Sequence, residues 1–233
     1  VNVRHEDDDH FEPVPGLPEE LPAGERILWQ GSPSWKALAI DVFHVRAVAV
    51  YAALMLAWHF ASLVYDGRPV ADALVSVAVF LPLPIVAIAL LGLFAWLTAG
   101  TTLYTITDKR IVMRIGIVLT MTVNIPFRIV VNAATKPSFF GTTGIALEVT
   151  GPGRISYLHL WPHARPWKMS KPQPMLRDLA DGEEVAALLA RALSAAAAER
   201  ATETGEERPT PVRVRTAAAR TRPGAGTAVG AAG

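Results

Sequence analysis

Residues 104–116, YTITDKRIVMRIG, set the charged corner Asp108-Lys109-Arg110 between two short alternating runs. Tyr104 and Ile106 alternate with threonines before it. Ile111, Met113 and Ile115 share one face after it, with Val112 and Arg114 on the other. A period of two on both sides of a tight polar corner predicts two antiparallel strands. Upstream the pattern changes completely, because Ala73 to Thr107 contains no Asp, Glu, Lys or Arg. As one helix that run would be about 50 Å long, well beyond the roughly 30 Å of a bilayer's hydrocarbon core. It therefore divides into a helix at 73–97 (ALVSVAVFLPLPIVAIALLGLFAWL) and a β-branched strand at 101–107.

A second apolar segment, 47–65 (AVAVYAALMLAWHFASLVY), lies between Arg46 and Asp66 and has His59 as its one polar ring. The connection 66–72 (DGRPVAD) holds a turn-forming Gly and Pro, so the two segments predict a transmembrane helical hairpin. Lys36 and Arg46 precede it, Lys109, Arg110 and Arg114 follow it, and the tip offers Arg68 alone. That bias places both termini on the cytoplasmic side of a bacterial inner membrane. Ala49, Ala53, Ala57 and Ala61 form a stripe at every fourth residue of the first span, where another helix can approach closely. The second span or a helix of another protein would fit it. Pro82 and Pro84 should kink the second span and free backbone carbonyls.

Downstream, Ile117, Leu119, Met121 and Val123 alternate, Ile129 and Val131 follow Pro126, and Ile145, Leu147 and Val149 precede a Gly151-Pro152-Gly153 turn. Ile155 and Tyr157 continue in a returning strand. About six short strands predict an antiparallel β-barrel, closed or nearly so. The segment 183–199 (EEVAALLARALSAAAAE) predicts a capping helix, with Asp181 at its N-terminus and Leu188, Leu189 and Leu193 inward. The chain thus divides into an acidic, Pro-rich arm (1–24), a juxtamembrane segment (25–46), a helical hairpin (47–97), a β-domain with its helix (101–199) and a disordered tail (200–233). The class is an α+β membrane protein.

The formal net charge of +1 argues against a dedicated nucleic-acid binder. Residues 1–30 are strongly acidic, whereas 101–182 hold roughly ten basic side chains against four acidic ones. With no cysteine, disulfides and thiolate chemistry are excluded. The acidic N-terminus shows no basic-then-apolar leader pattern.

YTITDKRIVMRIG resembles the opening of bacterial pleckstrin-homology-like domains, which commonly follow a pair of membrane helices. GERILWQGSPSWKAL (24–38) and YLHLWPHARPWKMSKPQPMLR (157–177) resemble the PuhB family of photosynthetic complex assembly proteins, from about Leu21 to Leu193. The resemblance implies an inner-membrane factor that assists assembly of a reaction centre with its core antenna. Expected partners are reaction-centre and core light-harvesting subunits and membrane lipid, with a homo-oligomer as a further option.

The segment 159–177 is the most unusual in the chain, with four prolines and with Trp161, His163, Arg165, Trp167 and Lys168 in close succession. Aromatic rings among basic groups suit an anionic headgroup layer or a protein partner, or else a loop packed across the barrel. Trp29 and Trp35 suit interfacial anchoring, a partner surface, or for Trp29 a strand completing the barrel. In a pigment-handling family His59 invites a bacteriochlorophyll reading. Antenna polypeptides carry a small residue four positions earlier, and here that residue is Met55. A hydrogen bond to the neighbouring helix accounts for His59 as well. HEDDDH (5–10) fits a solvated arm better than a cation site. No Gly-rich phosphate loop, paired acids or nucleophile–base pair stands out, so neither enzyme nor cofactor is expected. A rival function is a lipid-binding module reading anionic headgroups with Lys109, Arg110, Arg114, Lys168 and Lys171.

Overall fold

A computed structural model describes residues 21–117, 120–150, 157–166, 172–204 and 214–216. Strand β1 (Ile27–Gly31) leads into a short helix α1 (Trp35–Asp41), and then into α2 (Val45–Tyr65). Helices α3 (Val70–Phe80) and α4 (Pro82–Thr101) form the returning arm. The turn between the arms uses Gly67 at φ +79°, a conformation that costs glycine nothing. Both arms are long and apolar enough to cross a membrane, and large side chains such as Trp58, Val79 and Leu83 point outward from them.

The expected proline break lies where the sequence put it. Leu81 keeps helical dihedrals, yet Pro82 and Pro84 have no N–H to give, so α3 and α4 divide there. The second arm is longer than its expected 73–97 limits. Val70–Thr101 is 32 residues, and its last turns leave the exposed stretch. Ala95 and Ala99 of α4 are covered by Leu38 and Ala39 of α1, a helix the sequence reading did not foresee.

Strand β2 (Leu103–Thr107) starts two residues after α4 and pairs with β3 (Arg110–Ile115), which pairs with β4 (Met121–Pro126). The corner between β2 and β3 is closed by Thr107, whose Oγ1 accepts the N–H groups of Lys109 and Arg110. Asp108 bonds not within the corner but to Arg26, the residue just before β1. Its carboxylate accepts the Arg26 N–H at 3.1 Å, and its N–H donates to the Arg26 carbonyl. This exchange aligns β1 as the edge strand beside β2.

The second sheet holds β5 (Val130–Pro137), β6 (Thr143–Val149), β7 (Met175–Leu179) and β8 (Val214–Thr216), in the order β7-β6-β5-β8. The expected barrel is therefore corrected to two four-stranded sheets. A one-turn 3-10 helix (Phe127–Ile129) carries the chain from β4 to β5, and those strands do not pair. Tyr157 does not enter a returning strand but opens the short helix α5 (Tyr157–Leu160); β7 takes the place beside β6. Ile155, Leu119 and the Gly151-Pro152-Gly153 turn lie outside the described residues. A register shift near Val130 turns Val130 and Ala133 inward and Val131 outward, reversing the expected face.

Helix α6 (Gly182–Thr204) covers the sheets, with Leu189 and Leu193 buried against Ile106, Ile111, Met113, Ile145 and Leu147. It extends past 199, and Val214–Thr216 adds a parallel edge strand, so the tail is not wholly without structure. Gly182 is required by close approach, because a Cβ there would lie 2.6 Å from the Thr143 carbonyl oxygen.

Candidate functional site

The end of the β-domain nearest the helices holds an apolar cleft of about 880 Å³. Leu91, Phe94 and Thr98 of α4 form one wall, and Ile117 and Met121 form another. Val42 and Phe43, just after α1, meet Trp161 at the rim. The Phe43 and Trp161 rings pack edge to face at 5.9 Å, and Trp161 is still about half exposed. Such a concave, largely apolar surface with an aromatic at its mouth suits an apolar segment of a partner.

Buried polar groups hold this rim. His163 is almost fully buried, with Nδ1 at 2.6 Å from the Tyr104 hydroxyl and Nε2 at 3.2 Å from Thr102 Oγ1. Tyr104 also accepts the Arg177 N–H at 3.3 Å. One neutral tautomer satisfies all three groups: Tyr104 donates to Nδ1, and Nε2–H donates to Thr102. Burial, reinforced by the nearby Arg177 charge, pushes the His163 pKa down to about 3. Burial likewise holds the Tyr104 hydroxyl well above its ordinary value.

Arg177 joins the two sides of the rim. One guanidinium nitrogen donates to Asp41 of α1 at 3.0 Å and another to the Ala164 carbonyl at 2.8 Å. Lys136 reaches Asp41 from β5 at 3.1 Å. Beside them Asp178 is buried at φ +48°, with no well-aligned hydrogen bond to either carboxylate oxygen among the described residues, although the Ser138 hydroxyl lies near. Burial raises its pKa and the Asp41 charge adds to this, while Ser138, Arg177 and Lys136 pull it down.

A group whose folded pKa is raised adds stability below its unfolded pKa, here about 4, and loses it as pH rises through the folded value. Asp178→Asn removes the buried charge and keeps a side chain that tolerates positive φ. It should therefore stabilise the detergent-solubilised protein at pH 7 by about 1 kcal/mol, and by much less near pH 4. Denaturant midpoints measured at the two pH values check this.

Several proposed site residues change role. His163 is not a surface contact but a buried bracket, because its ring fills the space between Tyr104 and Thr102. Arg165 is exposed, yet its guanidinium is held by Gln173 Oε1 at 3.0 Å. Trp167 and Lys168 lie outside the described residues. Trp29 belongs to β1, as the strand alternative had it, packs on the core and donates its indole N–H to Asp181 at 2.8 Å. Trp35 stays exposed in a shallow groove with Trp96 at the end of α4.

Of the alanine stripe, Ala49 is half-buried, and Ala53, Ala57 and Ala61 face outward rather than toward the second arm. The arms meet instead along a seam that includes Val48, Ala52, Leu56 and His59. His59 Nε2 lies 2.9 Å from Ser76 Oγ, the interhelical hydrogen bond that the sequence allowed. The sequence reading missed Asp41, Arg177 and Asp178 as a group. The Arg-Asp pair between Leu176 and Leu179 was the available sign, a charged pair inside an apolar run.

A family model described as "Bacterial PH domain" matches residues 37–193. The chain belongs to the bacterial PH domain family. The matched span takes in both helical arms and strands β2 to β7, while β1 lies just before it and β8 after it. The chain is also 40% identical over 192 residues to an uncharacterised 23.7 kDa protein in the puhA 5' region of Rhodobacter capsulatus, covering 81% of this chain and 88% of the relative. Both findings agree with the PuhB resemblance carried by 24–38 and 157–177. No solved structure matched. In this bacterial PH domain protein, the cleft lies where the two parts named by the resemblance meet.

Proposed function

We propose that this protein is a non-enzymatic membrane assembly factor for a photosynthetic reaction centre and its core light-harvesting antenna. The helical arms would lie in a bacterial inner membrane with both termini cytoplasmic, as the clustering of basic residues around the arms' outer ends supports. The observation that carries the reading is the cleft shared by α4, Val42 and Phe43 just after α1, and Trp161. A client helix leaving the bilayer beside α2 or α4 would bring its first juxtamembrane residues to this rim. The outward Ala53, Ala57 and Ala61 leave α2 open to close helix approach. The name of the relative, with its puhA 5' region, supports a photosynthetic setting.

The tagged full-length chain, drawn from photosynthetic membranes, should bring down reaction-centre or core-antenna subunits. Trp161→Ala, an exposed rim change, should weaken that recovery by about tenfold, as loss of an aromatic anchor does. Recovery of lipid alone, or undiminished recovery with the variant, would count against the cleft as the client's seat.

The rival lipid-reading module fits the geometry less well. Lys109 and Arg110 stand at the end of β2 away from α4, about 17 Å of strand from the helix terminus. Arg110 is also engaged by the buried Glu25 at 2.8 Å, whereas Arg114 pairs across from Leu103 at the near end. Among the described residues Lys109 and Arg110 thus stand apart from Arg114, while Lys168 and Lys171 lie outside the described residues.

A further inference from the structure

We propose that the turn between β5 and β6, carrying Phe139 and Phe140, is a peripheral membrane wedge that dips into the headgroup layer beside α2. The inference rests on the reading that the helical arms span a bilayer. Phe139 and Phe140 are consecutive aromatic residues on a one-turn 3-10 helix (Phe139–Gly141), and they are 41% and 68% exposed. A pair of large exposed rings at a loop tip is unusual for a surface that meets only water. The tip is also rigid. Ser138 N–H donates to the Thr142 carbonyl at 2.8 Å, and Thr142 returns both its N–H and its hydroxyl to the Phe139 carbonyl. Phe140 sits at φ +57°, a conformation that non-glycine residues adopt only where their surroundings enforce it.

The position of this tip selects its partner. Phe139 shares a groove of about 540 Å³ with Arg46, Val50, Tyr51 and Leu54 of α2. Leu54 lies nine residues into that helix, roughly 14 Å along its axis from Val45. The tip therefore stands level with the first turns of the span, where the hydrocarbon begins. Arg46 is exposed beside it, a cation placed as an anionic headgroup layer favours, while Lys136 on the adjoining strand is half-exposed and pairs with Asp41. The apolar faces of interfacial helices sit about 5–10 Å into the headgroup and acyl boundary, and the same depth is expected for these rings.

The chain contains no cysteine, so single labels report without background. Full-length Phe140→Cys, Leu54→Cys and Lys109→Cys variants carry an environment-sensitive fluorophore in anionic lipid vesicles. Phe140 is exposed, so its replacement opens no core, and Phe139→Cys provides a second probe of the tip. Expected are a deep lipid signal at 54, a shallow one at 140 and at 139, about 5–10 Å below the headgroups, and a water signal at 109. A lipid signal at 54 with water at both 139 and 140 overturns the wedge and leaves the rings for a protein partner. A water signal at 54 overturns the membrane-spanning reading itself, and the wedge with it.

Discussion

Arg177→Leu is expected to lower the unfolding free energy by about 3 kcal/mol, near the lower end of what removing one partner of a buried ion pair costs. Arg177 is buried, at 4% exposure. Its loss strands the Ala164 carbonyl and leaves the Asp41 carboxylate, 13% exposed, with Lys136 as its remaining ion-pair partner among the described residues. The remaining Lys136 pair is why the figure is not larger. Asp41→Asn alone should cost less, because Arg177 keeps Ala164. The double variant should cost less than the two singles added, since both act through one contact. Denaturant unfolding of the four proteins in detergent gives the coupling directly. Strict additivity would show that Arg177 does not tie α1 to the 163–164 segment. The same variant should weaken client recovery, because Phe43 and Trp161 are joined across the cleft through that tie.

The second large effect belongs to His163. Its folded pKa, pushed down to about 3, lies below the unfolded value of about 6.5, so the native state resists protonation. Stability is then fully present above about pH 6.5 and falls by up to about 1.4 kcal/mol per unit as pH drops toward 3. Asp178 acts in the opposite sense, gaining on acidification, so the wild-type curve shows the difference between the two. In an Asp178→Asn background the His163 slope should stand alone and steeper. His163→Leu should cost about 3 kcal/mol at pH 7, because the Tyr104 and Thr102 hydroxyls lose their shared partner in a dry site. It should also abolish the acid-side loss. A His163→Leu protein that still loses stability between pH 6.5 and 5 as the wild type does would refute the assignment.

Much of this molecule was legible because it is local. An uncharged run too long for one bilayer crossing has to change structure, and the switch of period from helical to two shows where. The Pro82 break, the Asp66–Asp72 hairpin turn, the corner at Asp108 and the apolar side of α6 all follow from neighbours within a few residues. The fate of the polar groups is decided over long separations. His163 meets Tyr104 and Thr102 about sixty positions away, and Arg177 meets Asp41 across 136 positions. In the one-dimensional pattern His163 and Arg177 looked like members of a basic, aromatic surface loop. Only the packed fold shows them withdrawn from water, because burial depends on what closes over a side chain and not on its own polarity. The same holds for closure of the sheets. Alternation sets which face of a strand is apolar, but the 3-10 turn after Pro126 and the insertion of β7 beside β6 decide that two sheets form in place of a barrel.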